Sequence, residues 1–368
     1  MTNTAVTRCA TARVIVTCGT GGVGKTSCAA ALGLVAARAG RRVVVLTIDP
    51  ARRLADAIGL GGAVANEPVR VDTGTPGELW VAMLDVQATF DGLVVATSRN
   101  EEQARSVLDN SFYRGLSQSL SGTRDYMAAE RLHELSSDDR FDVVIVDTPP
   151  SRNALDFLES PERLARFLKH PIVRLLAAPG RGGLRFANAA LTPVLKIISG
   201  VVGSDALTGV ASFLRVIDGM ESEFSRRALA VASTLRGPDT SFVVVTAPSP
   251  DALTEADHFV NELRRLGIAL RLAITNRMPP RFGDTSAARE RDAAASTSGD
   301  LSVAHLLAAS LWDDVERSEV GISLFRQRTQ TAFPDIGFAV AHELSTDIHE
   351  MTSIVNLAEQ LAASPSRQ

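Results

Sequence analysis

Eight consecutive residues, Gly19-Thr20-Gly21-Gly22-Val23-Gly24-Lys25-Thr26, are spaced to grip a chain of phosphates. Glycines let successive backbone N–H groups converge on an anion with no Cβ in the way, and a helix N-terminus behind them adds partial positive charge. In this G-x-x-x-x-G-K-[ST] pattern the lysine, Lys25, bridges β- and γ-phosphates, and the Thr26 hydroxyl ligates Mg²⁺. Ser27 is in reach of the α-phosphate. Gly21, Gly22, Val23, Gly24, Lys25, Thr26 and Ser27 are therefore the expected nucleotide-binding residues.

Two carboxylates and one amide are placed to complete such a site. Val143-Val-Ile-Val-Asp147 is an apolar β-forming run that ends in an acid, which puts Asp147 at a strand's C-terminal edge to hold Mg²⁺ through water. Asp49 follows another β-branched run and can orient an attacking water for in-line displacement. Asn276 ends a third run, and its amide pairs a donor with an acceptor, as the N6/N7 edge of adenine requires. The cofactors expected are ATP and Mg²⁺.

The elements that must position these groups alternate along the chain. Strands are expected at 13–18, 43–48, 79–84, 143–147, 242–246, 272–275 and 338–341, with near-continuous Val and Ile. Such runs are buried on both faces, as in a parallel sheet covered by helices. Helical patterns lie between them: one runs from Gly24/Lys25 to Gly40, and one carries Ala256, Phe259, Val260, Leu263 and Leu266 before Gly267. The last begins near Ser345 and turns Ile348, Met351, Ile354, Leu357 and Leu361 to the core. This predicts a doubly wound, mostly parallel α/β sheet of the P-loop NTPase kind. Residues 87–136 and 154–236 read as helices without strands and predict an inserted α-helical subdomain. Residues 283–300, small and polar, predict a mobile loop.

Composition narrows the classes. The 368 residues are 45% hydrophobic and 22% charged, which excludes a disordered or fibrous chain. A net charge of −4 gives no pull toward nucleic acid. The longest apolar region, 184–202, is broken by Arg185, Asn188, Pro193 and Lys196, so no stable membrane insertion is expected. No export signal is read at the N-terminus. Cys9, Cys18 and Cys28 form neither an even disulfide set nor a CxxC pair. A reduced, cytoplasmic location fits. The six histidines show no ligand spacing, and Arg226 and Arg227 read as a solvated helix face.

The order GxGGVGKT, then DPAxxLxDA over 49–57, then DTxPxxxxLxFL over 147–158, then a strand ending in Asn276, resembles one family over residues 12–362. It is similar to the arsenite-pump ATPase (ArsA) and Get-pathway tail-anchored-protein targeting ATPases, a SIMIBI-class branch with a deviant Walker motif. The stretches 121–128 and 149–158 resemble its actinobacterial members, which often occur as paired paralogous subunits. The resemblance implies a single P-loop ATPase domain working as a nucleotide-sandwich dimer, with Asp49 and Lys25 catalytic. It also implies switch segments at 49–56 and 147–155 and Asn276 as the adenine reader.

The chain departs from the family at Thr20, where the signature motif carries a lysine that reaches the partner's phosphates. A hydroxyl supplies no cation for the developing γ-phosphoryl charge. A lysine-bearing homologous subunit supplies it in a heterodimer, or Arg52 or Arg53 replaces it, a homodimer included. The alternative is a catalytically weak, nucleotide-locked scaffold subunit. The absent CxxC pair removes the zinc clamp of the eukaryotic targeting members, and Cys18 and Cys28 read as buried filler rather than metalloid ligands, against arsenite efflux. The apolar residues of 157–214, among them Phe157, Phe186 and Leu195, either pack on one another or form a groove for an apolar helical client.

Overall fold

The computed structural model describes residues 5–48, 54, 56, 58, 66–110, 113, 121–149, 156–168, 220–344 and 351–364. Asp49, Arg52 and Arg53 lie outside the described residues, as do most of the switch segment 147–155, the apolar stretch 169–219 and the residues 345–350 that open the last helix. So do the side chains of Phe157, Leu164 and Phe167. The chain divides into two compact units. One comprises Met1–Met83, Leu135–Ala154 and Pro238–Gln368, the other Leu84–Glu134 and Leu155–Gly237.

The first unit is built on an eight-stranded sheet: β1 (Val14–Cys18), β2 (Arg42–Thr47), β3 (Val69–Val71), β4 (Glu78–Met83), β5 (Val143–Asp147), β6 (Thr240–Thr246), β7 (Leu270–Met278) and β8 (Gly337–His342). Their order across the sheet is β3-β4-β2-β5-β1-β6-β7-β8. All neighbours are parallel except β3 and β4, which are antiparallel. The mostly parallel α/β sheet expected from the valine-rich runs is therefore present. β1, β5 and β6 are buried along their whole length, as central parallel strands covered on both faces must be. β3 was not anticipated; three residues, one of them an exposed arginine, are too short for an alternation to register.

The sheet is accompanied by the helices α1 (Ala5–Cys9), α2 (Lys25–Arg38), α8 (Pro250–Arg265), α9 (Ala287–Ala295), α10 (Asp300–Ala332) and α11 (Met351–Ala363). α2 is Ala- and Leu-rich and buried nearly all round; Gly33 lets it press on the sheet, where a Cβ would lie 2.9 Å from a Val45 methyl. α8 starts on a Ser249 side-chain cap with Pro250 in the first turn. Residues 283–300, expected as a loop, instead contain α9. Ser286 caps it, Glu316 of α10 accepts from the Ala287 N–H, and Ala287 packs on Trp312 and Val315. Its alanines favour helix, but the apolar face that holds it is supplied by α10, a partner that a local reading does not reveal.

The second unit contains α3 (Val86–Thr97), α4 (Glu101–Leu108), α5 (Ser121–Ser136), α6 (Asp156–Leu168) and α7 (Glu221–Arg236), and no strand among its described residues. Leu93, Val107, Met127, Phe224 and Ala228 form its core, with Tyr113 donating its hydroxyl to Asp91 at 2.6 Å. Arg227 does not belong to a solvated face. It turns inward to pair with Glu130, which is fully buried, and with Glu134 at 3.5 Å. Arg226 does stay outside, paired with Glu223.

Candidate nucleotide site

The loop that follows β1 is shaped by its glycines. Gly22 and Gly24 adopt φ of 80° and 85°, the left-handed region that side chains avoid. Gly19 approaches β6 so closely that a Cβ would sit 2.1 Å from the Val245 carbonyl oxygen. Gly24 is also the N-cap of α2, and no side chain caps that end. The first-turn N–H groups of α2 are thus aimed into the loop, where an anion can accept from them.

The cations and oxygens of the motif gather here. Lys25 is buried, and its Nζ donates to the Thr20 carbonyl at 2.7 Å. Thr26 Oγ1 donates to Asp147 Oδ2 at 2.6 Å, and Thr47 Oγ1 lies 3.4 Å from the same oxygen. Asp147 is only 1% exposed. It ends β5, with Thr17 and Thr47 as its register partners on β1 and β2. Thr148 Oγ1 donates to the Thr17 carbonyl at 2.7 Å, which ties the residue after Asp147 back to β1. A hydroxyl and a carboxylate beside a phosphate cradle are the hard oxygen donors that Mg²⁺ takes, with substrate phosphates completing its shell. The residues present fit both groups. Among the described residues, no cluster of three His, Cys, Asp or Glu side chains is placed to hold a metal by protein alone.

The backbone leading to Asp49 can be followed to residue 48. Ile48 N–H donates to the Asp147 carbonyl at 3.1 Å, so the chain leaves the sheet beside Asp147. Asn276 sits against the loop from the other side. Its Nδ2 donates to the Val23 carbonyl at 2.9 Å, and the side chain is 5% exposed. A register shift between Thr275 and Met278, with Arg277 at φ 57°, interrupts the β7–β8 ladder there. Such a bulge re-aims a side chain out of strict alternation. The apolar run of 272–275 located the strand but carried no sign of the bulge.

The three cysteines are buried thiols. Burial pushes Cys9, Cys18 and Cys28 up to about 12, and for Cys28 the nearby Asp147 charge adds to it. Cys18 donates to the Val243 carbonyl at 3.4 Å. Cys18 and Cys28 are buried filler, as their positions at the end of β1 and in the first turn of α2 suggested. No helix among the described residues is long and apolar enough to cross a membrane.

Residues 12–294 match the family described as anion-transporting ATPase. The chain is 26% identical to "ATPase GET3B" of Arabidopsis thaliana over 294 residues, 72% of this chain and 64% of that protein. It is 30% identical to "Uncharacterized protein SCO2128" of Streptomyces coelicolor over 273 residues, 73% of this chain and 63% of that protein. "ATPase get3" of Schizosaccharomyces japonicus is 26% identical over 262 residues, 71% of this chain and 72% of that protein. The first two matches thus span less than two thirds of those relatives' own length. A glycine loop seated between a buried parallel strand and an uncapped helix is what the matched stretch 12–294 encloses, and the chain belongs to the ArsA family of anion-transporting ATPases.

Proposed function

We propose that this chain binds ATP with Mg²⁺ and hydrolyses it, working as a dimer whose nucleotide state opens and closes the helical unit on a partner or client. The observation that carries the reading is the 2.6 Å bond between Thr26 and Asp147 beside an uncapped helix start. The N–H groups of residues 21–27 grip the phosphates, and Lys25 leaves the Thr20 carbonyl to neutralise the β- and γ-oxygens. Thr26 and, through water, Asp147 hold Mg²⁺, which when bound offsets the charge that develops on the γ-phosphoryl group. Asp49 orients the attacking water, a role that rests on the family resemblance. Loss of the γ-phosphate then releases the switch segments 49–56 and 147–155.

Association is supported by two features. Thr20 leaves the loop without the second cation, worth roughly 10³–10⁵ in rate where a comparable finger has been removed, so a lysine-bearing homologous subunit is the favoured partner. Leu301, Val303, Leu306, Leu307 and Leu311 of α10 are each more than half exposed, apolar side chains that a partner could cover. Thr20 also favours a second reading, a nucleotide-locked scaffold that binds without turnover.

Calorimetry with Mg-ATP, followed by single-turnover phosphate release from the chain alone and mixed with a lysine-bearing homologue, tests both. Heat on titration and release accelerated by the homologue are expected. Absence of heat from folded protein removes the nucleotide reading; binding without release in either mixture selects the scaffold.

A further inference from the structure

We infer that Gln360 and Ser364, at the end of α11, guard the outer edge of β8: they stand where a ninth strand would bond and keep that edge from pairing with β8 of a second copy of this chain. An edge strand presents a row of backbone N–H and C=O groups that templates pairing with another chain. The sheet has two such edges, β3 and β8. β3 is blunted by its length of three residues and by the exposed Arg70. β8 is six residues long, Gly-Phe-Ala-Val-Ala-His, with no proline and no Lys, Arg, Asp or Glu. Neither shortness nor charge protects it, and its cover comes from α11 instead.

The cover has the pattern of a strand. Successive residues of a strand aim their N–H and C=O groups to alternate sides. The Glu343 N–H turns inward to the Met278 carbonyl of β7 at 2.9 Å, which leaves Val340 and His342 facing outward. The buried Ser364 hydroxyl meets both groups of Val340. It accepts from the N–H at 3.2 Å and donates to the C=O at 3.0 Å, a hydrogen it shares with the Gln360 carbonyl at 3.1 Å. The Gln360 amide oxygen accepts from the His342 N–H at 2.6 Å. Four residues of helix rise about 6 Å and two residues of strand about 6.6 Å, so side chains one turn apart meet alternate residues of β8. Small side chains let the helix lie this close: Ala339 and Ala341 are on the buried face of β8, in one core with Leu357, Ala358 and Leu361.

A bared edge of this kind fits itself. A two-fold axis lays an edge strand antiparallel to its own copy. With Val340 on the axis, the two Val340 residues exchange N–H and C=O bonds, and Phe338 of each copy stands opposite His342 of the other. Phe338, Val340 and His342 share the face of β8 that is not fully buried. Ser364 occupies the residue on which that pairing would centre.

The full chain and its Gln360→Ala/Ser364→Ala variant are compared without nucleotide, by amide exchange at low concentration and by sedimentation over a concentration series. The Val340 and His342 amides of the variant are expected to exchange about fivefold faster, the effect of one lost neutral hydrogen bond at each. Its mass is expected to double relative to the unsubstituted chain as concentration rises. Adding Val340→Pro removes the central N–H, a change that an edge strand tolerates, and should return the mass to that of the unsubstituted chain. Where the double variant does not fold, Ser364→Ala alone removes both partners of Val340 and carries the same readings. Unchanged exchange, faster exchange with no gain in mass, or association that survives Val340→Pro each overturns the inference.

Discussion

Thr26 and Asp147 are 121 residues apart, yet one hydrogen bond of 2.6 Å joins the first turn of α2 to the end of β5. The bond requires that β1 and β5 be neighbours in register, with Thr17 opposite Asp147, so that the loop after β1 begins level with the carboxylate. If this pair is a magnesium site, removing the hydroxyl should matter only when the metal is present. Thr26→Ala is expected to weaken Mg-ATP by about tenfold or more, the usual effect of disturbing a ligand's support, while ATP without metal binds as before. Thr26→Ser should keep most of the metal dependence. Titration of Mg²⁺ against a fixed ATP concentration reads both, and equal Mg²⁺ response in Thr26→Ala would remove the metal role.

Gly24 and Gly40 offer a matched pair of positions, with φ of 85° and 84°. A Cβ at Gly40 meets nothing within 4 Å, whereas one at Gly24 meets the Asn276 amide at 2.3 Å. Alanine at either position pays for the left-handed conformation, about 1–2 kcal/mol. Only Gly24→Ala should also lower nucleotide affinity, because it displaces Asn276 and distorts the start of α2. Melting temperature and Mg-ATP binding, measured side by side, test this. Equal nucleotide affinity in the two variants would contradict the close contact.

How much of this could be read from the residues depended on where the partner of each residue lies. The loop at 19–26 and the acid at 147 stand at the ends of short runs rich in β-branched residues, and the run itself says strand, end and therefore sheet edge. The helix at Ala287–Ala295 and the inward turn of Arg227 were not legible, because each is decided by a residue brought in from elsewhere: Trp312 for the helix and Glu130 for the arginine. Asn276 falls between these cases. Its strand was legible and its bulge was not, so nothing in the run announced the hydrogen bond from its amide to the Val23 carbonyl.

Alkali should unfold the protein through its thiols. The folded-state values of Cys9, Cys18 and Cys28 stand at about 12 against an ordinary 9.0. A raised acid favours the protonated, folded form, so this stabilisation is complete below pH 9 and is lost progressively between pH 9 and 12 as unfolded thiols ionise. At neutral pH no thiol should react with Ellman's reagent until denaturant is added, after which three should. Replacing all three with alanine should flatten the decline of stability above pH 9, measured by urea unfolding. A rapidly reacting native thiol would contradict the burial.

The pair of Glu130 and Arg227 carries the sharpest stability prediction. Glu130 is fully buried in the second unit, with its carboxylate against Arg227 and the Tyr126 hydroxyl at 3.3 Å. Burial raises its pKa above the ordinary carboxylate range, while the Arg227 charge pulls it back. Arg227→Ala removes that opposing cation and leaves a carboxylate without charge compensation, which costs about 3–5 kcal/mol when one partner of a buried pair is lost. The sign with pH is set by linkage. A carboxyl raised in the folded state stabilises the fold below its unfolded value and loses that stabilisation as pH climbs through the folded value. Arg227→Ala raises the folded value further, so its deficit should be larger at pH 7.5 than at pH 5. Adding Glu130→Gln to Arg227→Ala removes the charge that had to be buried, and should recover part of the loss and abolish its pH dependence. Denaturant unfolding of the unsubstituted chain, Arg227→Ala, Glu130→Gln and the double variant at both pH values closes the cycle. A deficit in Arg227→Ala that is the same at both pH values would mean that packing of the arginine stem, not its charge, holds α5 to α7.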